Sequence, residues 1–96
     1  MSTRDQILNT LRRLHGELSA RYPIRRIALF GSWARDEAHE DSDVDVLVEV
    51  DPSIGLMFVQ LADDIERALG RPADVVSRRA LRPGLWEQIE PELIDA

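Results

Sequence analysis

Between Ile27 and Val48 the sequence IALFGSWARDEAHEDSDVDVLV holds two groups of residues whose types and spacing can do chemistry. The first is Gly31-Ser32, closing the apolar run Ile27 to Phe30 and opening into Trp33-Ala34-Arg35. An apolar run that ends in Gly-Ser reads as a buried strand delivering the chain to a helix start, where free backbone N–H groups and the Ser32 hydroxyl can hold an anion such as phosphate. The second group is Asp43 and Asp45, which alternate with Val44, Val46, Val48 and Val50. That period of two belongs to a strand with one buried face, so both carboxylates point to the same side. Two residues of strand span about 6.6 Å, close enough for the pair to share one hard cation or bridge two. A phosphate site and a cation site on one segment are what metal-assisted phosphoryl or nucleotidyl transfer requires.

Taken together, Gly31-Ser32-Trp33-Ala34-Arg35 and Ser42-Asp43-Val44-Asp45-Val46-Leu47-Val48 resemble the G-S-x-A-R-G and S-D-x-D-h-x-V signature (h apolar) of the minimal nucleotidyltransferases, in the DNA-polymerase-beta-like superfamily. The resemblance extends over almost the whole chain. One position departs from it, because Asp36 stands where the family usually carries glycine. The resemblance implies an α/β (α+β) nucleotidyltransferase fold, a small mixed sheet with flanking helices in the order α-β-α-β-α-β-α. It also implies a third carboxylate on the strand after the central helix, and Asp74 in Ala73-Asp74-Val75-Val76-Ser77 is the matching position. On that pattern Asp43, Asp45 and Asp74 are the catalytic and metal-binding residues, Mg²⁺ is the cofactor and ATP the substrate. Gly31, Ser32 and Arg35 are the phosphate-binding residues.

Such proteins often stand beside a HEPN-domain ribonuclease. The resemblance therefore implies the antitoxin of a type VII-like toxin-antitoxin pair, one that transfers AMP to a tyrosine hydroxyl of the HEPN toxin and works in a hetero-oligomer. The alternative is a protein of the same fold that neutralises its toxin by binding alone. A calcium-loop reading fails, since Asp41, Asp43 and Asp45 match the first EF-hand positions but Val46 and Pro52 replace the required Gly and Glu.

Composition narrows the field. Ninety-six residues suggest one domain, 1–96, too small for a separate acceptor-recognition module. The absence of cysteine removes disulfides and thiolate chemistry, and the absence of lysine removes a P-loop and Schiff-base mechanisms. Net charge is -6, with seven Arg against two acids in residues 1–35 and eight acids without Arg in residues 36–51. That balance argues against direct nucleic-acid binding. No run of sequence has a signal-peptide core or the length of a membrane span, so a soluble cytoplasmic protein is expected.

The elements that must position these residues follow from periodicity. Thr3 and Gln6 form a capping box before Ile7, Leu8, Leu11, Leu14 and Leu18, predicting a helix from about Arg4 to Ala20 whose stripe is core. Pro23 stops it, and a strand is expected over Ile24 to Phe30. A short helix through Glu37 and a loop over Ala38 to Asp41 lead to the second strand, Asp43 to Val50. Trp33 reads as a packing residue. Arg35 has two possible partners, triphosphate oxygens or an acid of the loop, and the family pattern favours the first. Pro52-Ser53 opens a helix with Met57, Phe58, Leu61, Ile65 and Leu69 as its stripe, closed by Gly70. After the third strand, Arg78, Arg79 and Arg82 form a basic connector, and Leu85, Trp86, Ile89 and Leu93 suggest a last helix, with Trp86 covering the core.

Overall fold

The computed structural model describes residues 3–96. Its elements are α1 (Arg4–Leu18), β1 (Ile24–Phe30), α2 (Gly31–Ala34), β2 (Val44–Val50), α3 (Met57–Leu69), β3 (Ala73–Ser77), α4 (Pro83–Ile89) and β4 (Ile94–Asp95). The expected order is present, with one strand added at the end. The sheet runs β3-β2-β1-β4. β1 is antiparallel to both β2 and β4, whereas β2 and β3 are parallel and joined across α3, so the sheet is mixed.

The capping box at the start of α1 is formed in both directions: the Gln6 N–H donates to the Thr3 hydroxyl at 3.2 Å, and the Thr3 N–H donates to Gln6 Oε1 at 2.8 Å. The helix closes at Leu18 rather than Ala20, and the Leu18 carbonyl accepts the N–H groups of both Arg21 and Tyr22 in the turn ahead of Pro23. α3 begins later than Pro52. The Asp51 carboxylate caps Ser53, Pro52–Ile54 form a 3-10 turn, and Gly55 at φ 52 redirects the chain before the α-helix starts. Its far end meets expectation, with Gly70 left-handed at φ 69 and its N–H bonded to Glu66 and Arg67 carbonyls.

Alternation along the strands sorts residues onto two faces. Ile27, Leu29, Val44, Val46, Val48 and Val50 meet the leucines of α1 together with Leu61 and Ile65 of α3. On the other face Ala28 and Leu47 are fully buried, and Ile89 of α4 is the buried apolar residue that α4 contributes. Met57 departs from its expected core role: it is 48% exposed, beside Leu56 at 92% and Val59 at 69%. These residues lie in the first turn of α3, where the stripe that packs on α1 and the sheet has yet to begin; Phe58 is the residue there that reaches the core. Trp86 is half-buried, with the Arg78 guanidinium 3.9 Å from its ring centre.

Candidate active site

The site is built on one row across the sheet. Phe30, the last residue of β1, is the register partner of Asp45, and Asp45 is the register partner of Asp74. Parallel partners share a face and lie about 4.8 Å apart at the backbone, so Asp45 and Asp74 are adjacent carboxylates on the face opposite the main core. The sequence expectation that they belong together depends on this register.

Gly31 leaves the end of β1 at φ 76. A side chain is excluded there twice: the backbone conformation is left-handed, and a methyl group would overlap the Asp45 carboxylate. Glycine thus lets Asp45 lie against the backbone that begins α2. α2 is a single turn, so its anion affinity rests on individual N–H groups rather than on a long helix dipole. Trp33 is buried, donates its Nε1–H to the Ser42 carbonyl at 3.2 Å and lies under Arg71, whose guanidinium is 4.8 Å from the ring centre. It packs as expected, and it ties α2 to the residue preceding Asp43.

Gly31, Ser32, Arg35, Asp45 and Asp74 line one open cleft of about 480 Å³, with Phe30, Val76, Leu81, Leu85 and Ile89 as its apolar wall. Asp43 lies outside that lining, exposed just before β2, but its charge is felt at Asp45. Burial pushes the Asp45 carboxyl above the ordinary aspartate range, the charges of Asp74 and Asp43 push the same way, and Arg35 opposes them. Carboxylates crowded with so little compensation favour a cation between them. Among the described residues no three His, Asp or Glu side chains form a complete metal cage. An aspartate pair fits a magnesium ion, which takes one or two carboxylates and completes its shell with water and substrate phosphates.

Sequence reasoning missed Glu92. Its Oε1 accepts the Gly31 N–H at 3.0 Å and its Oε2 accepts Arg35 Nη1 at 2.9 Å, placing a carboxylate on the two donors expected for phosphate. Glu92 lies 57 and 61 residues from these partners in the chain, in a turn before β4, and no local motif marks it. Arg35 also donates to Glu37 at 3.0 Å, the loop-acid pairing weighed as its second use. Hydrogen bonds to Glu37 and then Glu92 raise the Arg35 pKa above its ordinary value. Asp36 takes φ 59, a conformation that suits glycine and that aspartate tolerates better than most residues. Its side chain faces outside the cleft, beside Thr3, Arg4 and Trp33.

Comparison with known proteins places this geometry in context. Residues 11–95 match the nucleotidyltransferase domain family model. Protein adenylyltransferase MntA of Thermococcus cleftensis is 38% identical over 96 residues, covering 98% of this chain and 96% of the relative. A solved structure of a candidate minimal nucleotidyltransferase is 44% identical, with a TM-score of 0.74 over 91% of this chain and 93% of its own. A crystal structure of a toxin-antitoxin complex with AMP-PNP is 26% identical, with a TM-score of 0.73 over 91% of this chain and 69% of its own.

Proposed function

The chain belongs to the nucleotidyltransferase domain family, and we propose that it is an antitoxin that transfers AMP from ATP to a tyrosine hydroxyl of a HEPN ribonuclease toxin. The observation that carries this reading is the Asp45–Asp74 register pair opening onto the same cleft as Gly31, Ser32 and Arg35. The name of the Thermococcus cleftensis relative supports a protein acceptor, and the AMP-PNP complex supports an ATP-like donor and a toxin partner. The tyrosine and the HEPN fold of the partner rest on the family signature around Gly31 and Asp43.

In this reading Gly31 N–H, the Ser32 hydroxyl and Arg35 bind triphosphate oxygens. Asp45 and Asp74 are the pair that would hold Mg²⁺, with Asp43 joining them only as its exposed segment before β2 moves in; when bound the ion neutralises phosphate charge and acidifies the acceptor hydroxyl. Asp74 stands at the exposed side of the row and orients the incoming hydroxyl for in-line attack at the α-phosphorus. The O–P bond to the tyrosine forms as the bond to pyrophosphate breaks, and the hydroxyl proton leaves towards the Asp74 carboxylate. The apolar wall of Val76, Leu81, Leu85 and Ile89 receives the nucleoside.

A second reading, neutralisation by binding alone, draws on one observation: Glu92 already occupies Gly31 N–H and Arg35 Nη1, two of the donors that a triphosphate needs. Intact-mass analysis of the co-expressed toxin after incubation with ATP and Mg²⁺ separates the two. A gain of one or more AMP units that disappears with Asp43→Ala/Asp45→Ala supports transfer. An unchanged mass, with toxin still bound and silenced by the double variant, would sink transfer in favour of binding alone.

A further inference from the structure

The Glu92 carboxylate is placed as an oxyanion would be. Each of its oxygens takes one donor, Gly31 N–H on Oε1 and Arg35 Nη1 on Oε2. The side chain is only 23% exposed and lines the cleft that also contains Asp45 and Asp74. Its negative charge is unfavourable to Asp45. The two donors offset the repulsion of an acid held against other acids. The turn that carries it, Glu90–Glu92, is anchored on one side by α4 and on the other by β4, whose Ile94 pairs with Leu29 of β1. The carboxylate is therefore tethered beside its donors and can leave or return by side-chain rotation alone, without unfolding either anchor.

We propose that Glu92 is a tethered competitor for the phosphate donors, an internal carboxylate that every phosphate ligand must displace from Gly31 N–H and Arg35, so that only a ligand with further contacts binds well. The inference rests on the nucleotide-transfer reading above. A ligand with one phosphate exchanges its contacts for those of Glu92 and gains little, because a tethered group competes at high effective concentration. A triphosphate displaces Glu92 and retains further oxygens for Ser32 and for a cation on the aspartates. Re-entry of Glu92 after transfer then opposes retention of the product phosphates.

The test is calorimetric titration of the full chain with ATP and, separately, AMP in the presence of Mg²⁺, using wild type, Glu92→Gln, Glu92→Ala and the exposed control Glu90→Gln. Removing the competitor should tighten both ligands by a similar factor, about tenfold, because each must displace the same carboxylate; Glu90→Gln should leave both affinities unchanged. Unchanged affinities for both ligands, or weaker ATP binding by both Glu92 variants, would overturn the proposal alone, the latter making Glu92 a positioning residue for Arg35. No ATP binding by wild type or variants would overturn the transfer reading as well. Wild-type protein offers a check independent of mutant folding: the Glu92 carboxyl carbon resonance should shift on saturation with ATP, and a resonance that stays fixed counts against displacement.

Discussion

Asp45 and Asp74 stand opposite each other in the parallel register of β2 and β3, on the sheet face away from the α1–α3 core. Their proximity is fixed by strand pairing, and it is costly. Asp45 is half-buried, and its carboxyl is raised first by that burial and then by Asp74 and Asp43. A group arranged this way serves a ligand at the expense of the empty fold.

Asp45→Asn is therefore expected to separate activity from stability. Transfer should fall at least about 100-fold, the scale seen when a charge-stabilising contact is removed from an active site. Melting in EDTA at neutral pH should move upward. Because the folded carboxyl binds its proton more tightly than the unfolded one, wild-type stability declines as pH rises through and above the ordinary aspartate range, and the asparagine variant escapes that decline. The gap should narrow towards pH 3; a variant no more stable than wild type at pH 7 would refute this account.

Gly31→Ala should damage both fold and site. The left-handed backbone and the overlap with the Asp45 carboxylate predict a loss of more than about 1 kcal/mol by denaturant titration, together with loss of transfer. Wild-type stability in this variant would show that the turn has room to relax.

Asp51 provides the opposite pH signature. Hydrogen bonds from Ser53, backbone first, hold its carboxyl below the ordinary range, with Arg25 assisting. Stability from this cap is present above the unfolded aspartate pKa and is lost as pH falls through the depressed folded value. Asp51→Ala should melt below wild type at pH 7, and the two curves should converge in acid. Parallel curves at every pH would assign the loss to something other than the charge.

Tyr22 is buried at 3% exposure, and its hydroxyl donates to Asp64 at 2.7 Å, joining the end of α1 to α3. Tyr22→Phe should cost about 1 kcal/mol in chemical denaturation and leave transfer intact. A loss of activity without loss of stability would connect this pair to the cleft, which it does not touch.

The local parts of the site were legible because each lies in continuous sequence: the Gly31 turn ends an apolar run, and Asp45 alternates with valines. Asp74 was legible only through family resemblance, since nothing near it specifies parallel register with Asp45. Glu92 was not legible, because its contacts join a C-terminal turn to β1 and α2 across the whole fold. β4 escaped notice for a related reason: two residues carry no period, and pairing with β1 alone makes them a strand. Met57 shows the reverse error. Helical spacing gives a direction around an axis, while burial depends on whether a neighbouring element extends far enough to cover that turn.

The row Phe30–Asp45–Asp74 also makes the carboxylate spacing independent of the contour length of the intervening chain. A short flexible peptide spliced between Glu37 and Ala38, where both flanking residues lie outside helix and strand, would lengthen the route from α2 to β2 while leaving the row intact. One residue inserted between Ala73 and Asp74 would instead turn Asp74 to the opposite side of the sheet. The spacing of the site is thus expected to survive a short insertion in that loop and not a single-residue insertion in the five-residue β3.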